Sequence, residues 1–294
     1  MNLTLASRGS ELARLQAREA MVALARSTPG LSIAFHTVKT TGDDYRGALA
    51  AAPVRGVFTK EVDEVVLAGG ADAAVHSLKD LPNEMHPDLV LAAVLERHFP
   101  GDVLFAPAAL SKLAPGTVVG TSSPRRRAQV LRSRPDLALA ELRGNVPTRI
   151  EKQRKGEVGA ALVAKAAVVR LGLRSGFFEM NPVDFPHAPG QGAVAIVARK
   201  GSEAAKVIAR ADHKKTRAEI EAERAVLAAV GGGCAAPLGV FARRAGTQIE
   251  VVAQLLAPDG SKEATVRRMV PAERPAAGAK VLGEELLRLG AGLA

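Results

Sequence analysis

The chain has 294 residues, 40 of them Lys or Arg and 30 Asp or Glu, for a formal net charge of +10; 47% are hydrophobic and 24% charged. That balance supports an ordinary buried core and excludes wholesale disorder, and no apolar run approaches the roughly eighteen residues of a spanning helix. The single Cys excludes an intramolecular disulfide and a multi-cysteine metal site, and residues 1–5 (Met-Asn-Leu-Thr-Leu) lack a signal-peptide pattern, so a cytoplasmic protein of two or three domains is expected.

The first two thirds alternate short apolar runs with helical periods, the rhythm of β-α units. Residues 3–6 read as a strand, and Ser10 caps a helix with Leu12, Leu15 and Val22 on one face, ending at Pro29-Gly30. A second strand at 33–38 leads into the polar loop 39–43. A helix at 60–68 stops at Gly69-Gly70, with strands at 73–78 and 89–95. The Pro- and Gly-bearing stretch 100–116 reads as a boundary or crossing. The rhythm restarts with a strand at 117–120 and a helix at 124–132, then strands at 137–142 and 160–164, each followed by a helical stretch. A second irregular segment, 181–192, precedes a strand at 193–198.

The last third changes character. A charged helix at 215–230 leads into Gly231-Gly232-Gly233-Cys234, three strands follow at 238–242, 249–256 and 265–270, and Pro258-Asp259-Gly260 turns between the last two. A terminal helix near 276–289 completes an α+β module. No solenoid-period repeat is present.

The excess positive charge fits nucleic acid, an anionic membrane surface or an acidic small molecule. Eight Phe, one Tyr and no Trp are few platforms for stacking single strands, and no block of five or six like charges occurs. Nor is a basic amphipathic helix for a membrane surface evident. An acidic ligand held by dispersed arginines is the leading reading, with a nucleic-acid binder behind it.

The strongest local signal is Gly120-Thr121-Ser122-Ser123-Pro124-Arg125-Arg126-Arg127, at a strand end and helix start, with Ser123 as N-cap and Pro124 at the first helical position. Arginines there oppose the helix dipole by about 0.3–1 kcal/mol each unless an anion turns the conflict into complementarity. Arg8-Gly9-Ser10 and Arg143-Gly144-Asn145-Val146-Pro147-Thr148-Arg149 repeat the layout. In an open α/β sheet such positions face the crevice outside the strand ends, where ligands bind. His76-Ser77-Leu78-Lys79-Asp80-Leu81-Pro82 also ends a strand. Asp80 reads equally as a turn residue or as a carboxylate that stabilises a developing cation and moves protons. His76 reads as a core or supporting histidine. Cys234, after three glycines, reads either as a small buried hydrophobe or as an accessible thiol open to covalent attachment.

Together these segments resemble the porphobilinogen deaminase (hydroxymethylbilane synthase) family. The carrying residues are 7–10 (Ser-Arg-Gly-Ser), 39–43 (Lys-Thr-Thr-Gly-Asp), 58–61 (Phe-Thr-Lys-Glu), 74–82, 120–123 with Arg125-Arg126, 142–145 with Thr148-Arg149, 190–193 (Gly-Gln-Gly-Ala), 222–224 (Ala-Glu-Arg) and the Gly-Gly-Cys loop at Cys234. They run in the family's order from residue 7 to about 241.

The resemblance implies an α/β fold with two periplasmic-binding-protein-like domains (1–96 with 193–212, and 97–192) and a small C-terminal α+β domain (213–294). It implies a transferase of heme and tetrapyrrole biosynthesis that condenses four porphobilinogen molecules head to tail, loses ammonia at each step and releases hydroxymethylbilane by hydrolysis. The implied cofactor is dipyrromethane, self-assembled and held by a thioether at Cys234. By the same resemblance Asp80 and Lys79 are catalytic and meet the cofactor, with Thr121, Ser122, Arg125, Arg126, Arg143 and Gly144 around it. Arg8, Ser10, Phe58, Arg149, Arg170 and Gln191 bind substrate. Loss of ammonia creates a cationic azafulvene that Asp80 stabilises. No metal, nucleic acid or membrane is implied; a cytoplasmic monomer that hands its product to the next pathway enzyme is. The competing reading is a non-catalytic α/β protein binding a polycarboxylate or phosphate.

Four places depart from the family pattern. The acidic-basic run after the fourth strand reads Arg97-His98-Phe99-Pro100-Gly101-Asp102, keeping only its flanking residues. The segment before Phe58 is shortened to Pro53-Val54-Arg55-Gly56, Pro124 replaces the usual leucine, and the cysteine loop has an extra glycine. These bear on hinge and lid geometry rather than on the reaction.

Overall fold

In the computed structural model, which describes residues 1–41, 58–173, 175–231 and 236–293, the chain opens with β1 (Asn2–Arg8), α1 (Glu11–Ser27) and β2 (Ser32–Val38). Then come α2 (Lys60–Leu67), β3 (Ala73–Ser77), a 3-10 turn (Leu78–Asp80) and β4 (Leu89–Val94). β5 (Asp102–Phe105), β6 (Val118–Gly120), α3 (Pro124–Ser133), β7 (Ala138–Ala140), α4 (Val146–Arg154), β8 (Ala160–Ala164), α5 (Lys165–Arg170) and β9 (Phe178–Glu179) follow. The chain continues with β10 (Val194–Arg199), α6 (Glu203–Ile208), α7 (Lys214–Val230), β11 (Leu238–Ala245), β12 (Gln248–Leu256), β13 (Glu263–Pro271) and α8 (Pro275–Leu289). Residues 42 and 43 of the polar loop, Pro53 to Gly56, and Gly232, Gly233 and Cys234 lie outside the described residues.

Two compact units emerge, Met1–His98 with Gly192–Arg217, and Phe99–Gln191 with Ala218–Ala294. The first holds a five-stranded sheet in the order β2-β1-β3-β10-β4. β1 is parallel to β2 and β3, and β10 runs antiparallel between β3 and β4. Val194 to Ala198 are buried without interruption, the pattern of a strand covered on both faces. Leu3, Leu5, Leu24, Val75, Ile196 and Ile208 belong to the core here.

The second unit holds two sheets. One runs β7-β6-β8-β5-β9, with β6 parallel to β7 and β8, and β5 antiparallel to β8 and β9. Along β5, Leu104 joins one core with Val119, Val130 and Leu162, while Val103 and Phe105 join another with Ile150 and Val163. Period-two alternation thus buries both faces. The other sheet, β11-β12-β13, is antiparallel and shares its core with α7 and α8 through Ala222, Val226, Val251, Leu255, Leu282 and Leu286. Its central strand, β12, meets α3: Gln129 Nε2 donates to Gln254 Oε1 at 3.0 Å. At Gly260 (φ +71°) a Cβ would meet the Ala128 carbonyl at 2.8 Å, so glycine is needed there both for its backbone angle and for space.

The structure departs from the sequence reading at the short strand β9, at 100–116 and at α6. The stretch 100–116, expected as a boundary or crossing, carries β5, a strand inside the second unit's sheet. Four residues framed by Pro100-Gly101 and Pro107 leave too short a periodic signal to outweigh the turn residues around them. α6, which was not expected, is capped by Ser202, whose side chain accepts from the Ala205 N–H at 3.1 Å.

Candidate functional site

In the first unit the three parallel strands end at one edge, with Arg8 level with Val38 in the register. Ser10 caps α1, its hydroxyl accepting from the Ala13 N–H at 3.3 Å, so the Gly9-Ser10 turn is held where β1 ends. A depression of about 230 Å³ is lined there by Gly9, Ser10, Thr37, Val38 and Lys39. The Arg8 guanidinium lies 4.4 Å from the centre of the Phe58 ring, a cation-π contact.

After β3, Leu78 anchors the turn that carries Lys79 and Asp80. Leu78 is fully buried, and its N–H donates to the Ala193 carbonyl at 3.0 Å. Lys79 and Asp80 are half-buried beside it, so their presentation is set by a core side chain and a cross-strand hydrogen bond. The strand beneath is braced as well. His76 Nε2 lies 2.9 Å from Asp63 Oδ1 on α2, and Ser77 pairs with Gln16 of α1. His76 is therefore a supporting histidine.

In the second unit the corresponding edge is cationic. Ser123 caps α3 by accepting from the Arg126 N–H, with Pro124 in the first turn. Arg125 and Arg126, only 4% and 7% exposed, meet an internal carboxylate: Asp102, 2% exposed, at the start of β5. Arg125 Nη2 donates to Asp102 Oδ2 at 2.9 Å and Arg126 Nη2 to Oδ1 at 2.6 Å. Arg125 Nη1 also reaches Gln129 Oε1 and the Pro186 carbonyl, at 2.8 and 3.0 Å, and Arg126 Nη1 reaches the Leu162 carbonyl at 3.2 Å. Burial alone would raise the Asp102 pKa, but the two guanidinium groups outweigh it and hold the carboxyl far below the usual range. Arg125 Nε and Arg126 Nε are buried and make no hydrogen bond among the described residues.

Beside this pair, Gly144 takes φ +107° and Asn145 caps α4, accepting from the Thr148 N–H at 2.9 Å. Arg149 Nε donates to the Gly144 carbonyl at 2.8 Å. Burial first, then the positive charges of Arg126 and Arg143, push the Arg149 pKa down to about 10. Three arginines thus share one field with too little negative charge to balance them. Arg143 holds Glu141 through Nε and Nη2, at 2.8 and 2.5 Å.

The structure brings Arg126, Arg143 and Arg149 together, as the repeated strand-end layout predicts, and sets Gly144 in their midst. Other expected contacts face inward. Thr121 is fully buried, its hydroxyl accepting from the Ser123 N–H, and Ser122 Oγ donates to the Leu142 carbonyl at 2.7 Å. Gln191 is 1% exposed, and its Nε2 donates to the Pro100 and Gly101 carbonyls and to Asp102 Oδ1. These three side chains build the turns of the site. Arg170 closes α5, half-buried. Asp102, Gln129 and Pro186 were missed as partners of the arginines. Only the persistence of Asp102 at the end of the altered run 97–102 could have pointed to one of them.

Each unit thus holds an α/β sheet with charged turns at its strand ends, Lys79 and Asp80 in the first and Arg126, Arg143 and Arg149 in the second, whose sheet is accompanied by a small antiparallel one. Residues 3–207 match the family model described as porphobilinogen deaminase, dipyromethane cofactor binding domain, and residues 217–288 match the porphobilinogen deaminase C-terminal domain. A probable porphobilinogen deaminase of Ignicoccus hospitalis is 43% identical over 90% of this chain and 90% of its own length. One from Methanocella arvoryzae is 38% identical over 98% of this chain and 95% of its own, and the porphobilinogen deaminase of Syntrophomonas wolfei is 40% identical over 89% and 87%. The chain belongs to the porphobilinogen deaminase family. Among the described residues no helix is long and apolar enough to cross a membrane.

Proposed function

We propose that the chain is a hydroxymethylbilane synthase, a transferase that joins four porphobilinogen molecules head to tail on a dipyrromethane primer and then releases the linear tetrapyrrole with water. The observation that carries this reading is the unbalanced cationic field of Arg126, Arg143 and Arg149, two of them opening helices at adjacent strand ends. Each pyrrole of the substrate bears an acetate and a propionate, so a growing chain is a polyanion of the kind such a field attracts. The donor set fits the primer too, because buried Arg125 Nε and Arg126 Nε retain hydrogen-bonding capacity that its carboxylates would use. When bound, the primer supplies the nucleophilic pyrrole carbon.

Arg8, Ser10, Phe58, Arg149, Arg170 and Gln191 serve substrate, while Lys79, Thr121, Ser122, Arg125, Arg126, Arg143 and Gly144 serve the primer anchored at Cys234. Thr121, Ser122 and Gln191 act by shaping turns, since their polar atoms engage the protein. Asp80 Oδ atoms accept from pyrrole N–H groups and stabilise the positive charge left as ammonia departs, and the carboxylate then takes the proton released when the ring regains aromaticity. Lys79 beside it orients incoming carboxylates. We assign three working domains, 1–96 with 193–212, 97–192 and 213–294, in a cytoplasmic monomer that hands its product to the next enzyme of heme biosynthesis.

Intact mass of the purified protein and of Cys234→Ala, each incubated with porphobilinogen, tests the reading. A gain of two linked pyrrole units by the parent and none by the variant supports it. A parent that binds porphobilinogen without mass gain overturns it in favour of a non-catalytic binding protein.

A further inference from the structure

The arginines at the start of α3 can act on a ligand only if something holds them against their own repulsion and against the helix dipole. Asp102 meets that need from a distant strand, 23 and 24 residues away in sequence from the two arginines. Both its oxygens are engaged: Oδ2 by Arg125, and Oδ1 by Arg126 and by Gln191 Nε2 at 2.8 Å. The bonds involve only Nη atoms, so each guanidinium is fixed in plane while its Nε stays uncommitted.

Gln191 ties Asp102 in turn to the carbonyls of Pro100 and Gly101, at 2.7 and 3.2 Å. On the far side Arg125 reaches Gln129, whose Nε2 bonds the Pro186 carbonyl at 2.9 Å and Gln254 Oε1 at 3.0 Å. Gln254 Nε2 continues to Glu263 Oε2 at 3.1 Å. A polar chain therefore runs from the start of β5 through α3 to the three-stranded sheet. Charge alone would not require this; a surface carboxylate could neutralise one arginine. Burial, two-oxygen engagement and anchorage at both ends specify position.

We infer that Asp102 is a positioning residue for the primer site, locking Arg125 and Arg126 in the orientation that receives the primer's carboxylates. The inference rests on the activity proposed above. A misplacement of about 1 Å at such a site can lower a rate on the order of 100-fold, which sets the scale of effect.

The test uses Asp102→Glu, which keeps the charge and moves it outward by one methylene, alongside the isosteric Asp102→Asn. Each protein, in primer-free form and checked by circular dichroism to be folded, is incubated with porphobilinogen while intact mass reports acquisition of the two-pyrrole adduct. The loaded fractions then give kcat and KM. The expected result is adduct acquisition slowed at least tenfold in Asp102→Glu, and KM raised more than kcat falls, because Asp80 is untouched. A role in folding alone predicts a lowered melting temperature with normal loading and KM in the folded fraction, which overturns the inference. Should Asp102→Asn not fold, Asp102→Glu decides by itself, since it leaves no unpaired buried arginine. A parent that gains no mass overturns the proposed activity and this inference with it, whereas a loading parent with normally loading variants overturns the inference alone.

Discussion

The sheet of the first unit, β2-β1-β3-β10-β4, and one sheet of the second, β7-β6-β8-β5-β9, share a strand order: three parallel strands, an inserted antiparallel strand, then an edge strand antiparallel to it. Position by position, Val194 opens the inserted strand opposite Ser77 in the first, and Asp102 opens it opposite Ala164 in the second. The first unit thus has an apolar residue where the second has a buried acid. Its own acid, Asp80, sits in the turn after the third parallel strand, half-buried. One topology offers two places for a carboxylate. At the half-buried turn the group can meet a reacting ligand; at the covered strand start it can only order its protein neighbours.

The largest test of this contrast is Asp80→Asn. It should lower porphobilinogen consumption at least about 100-fold, the scale on which loss of an electrostatic stabiliser acts, with the melting temperature within a few degrees of the parent. A variant with normal turnover would end the assignment of the acidic turn to chemistry.

Asp102→Ala should show the reverse emphasis, destabilising the fold by about 3–5 kcal/mol in urea unfolding because it strands two buried arginines. The same pair predicts a pH dependence. The folded pKa of Asp102 is depressed, so its contribution is complete above the unfolded carboxylate value near 4 and is lost as pH falls below it. Asp102→Ala should therefore flatten the acid limb of the stability curve. A loss under about 1 kcal/mol would mean that the buried acid does not organise the second unit.

The smallest effect concerns Arg149, whose pKa is pushed down to about 10. Because burial and like charges disfavour the protonated form, Arg149→Gln should leave stability near neutral pH unchanged or raise it by about 0.5 kcal/mol. Carboxylate affinity should fall by about tenfold, the scale of one lost charge-assisted hydrogen bond. Differential scanning calorimetry and titration with porphobilinogen read the two effects. A clear destabilisation would show that Arg149 serves the fold more than the ligand.

Much of the site was legible from local chemistry. Ser10, Ser123 and the Gly144-Asn145 turn declare helix starts at strand ends through cap preference, a backbone property of adjacent residues. The clustering of Arg126, Arg143 and Arg149 followed because parallel neighbouring strands bring equivalent turns side by side. The inward commitment of Thr121, Ser122 and Gln191 was not legible, because a hydroxyl or amide carries the same signal in a sequence whether it faces a ligand or a carbonyl. β5 was hidden among prolines and glycines, and its acid had no local partner.

By itself the sequence determined the β-α rhythm, the caps, the charged turns at strand ends and, through its ordered motifs, the family. Those features depend on neighbours within a few residues, where propensity and periodicity operate. Only the tertiary structure decided that β5 and β10 insert antiparallel into two like sheets, that His76 rests on Asp63, and that Arg125 and Arg126 close on Asp102. Those pairings join groups from separate elements, and what selects them is the cost of burying an uncompensated charge or an unpaired polar atom, which is set only once the surrounding strands have packed.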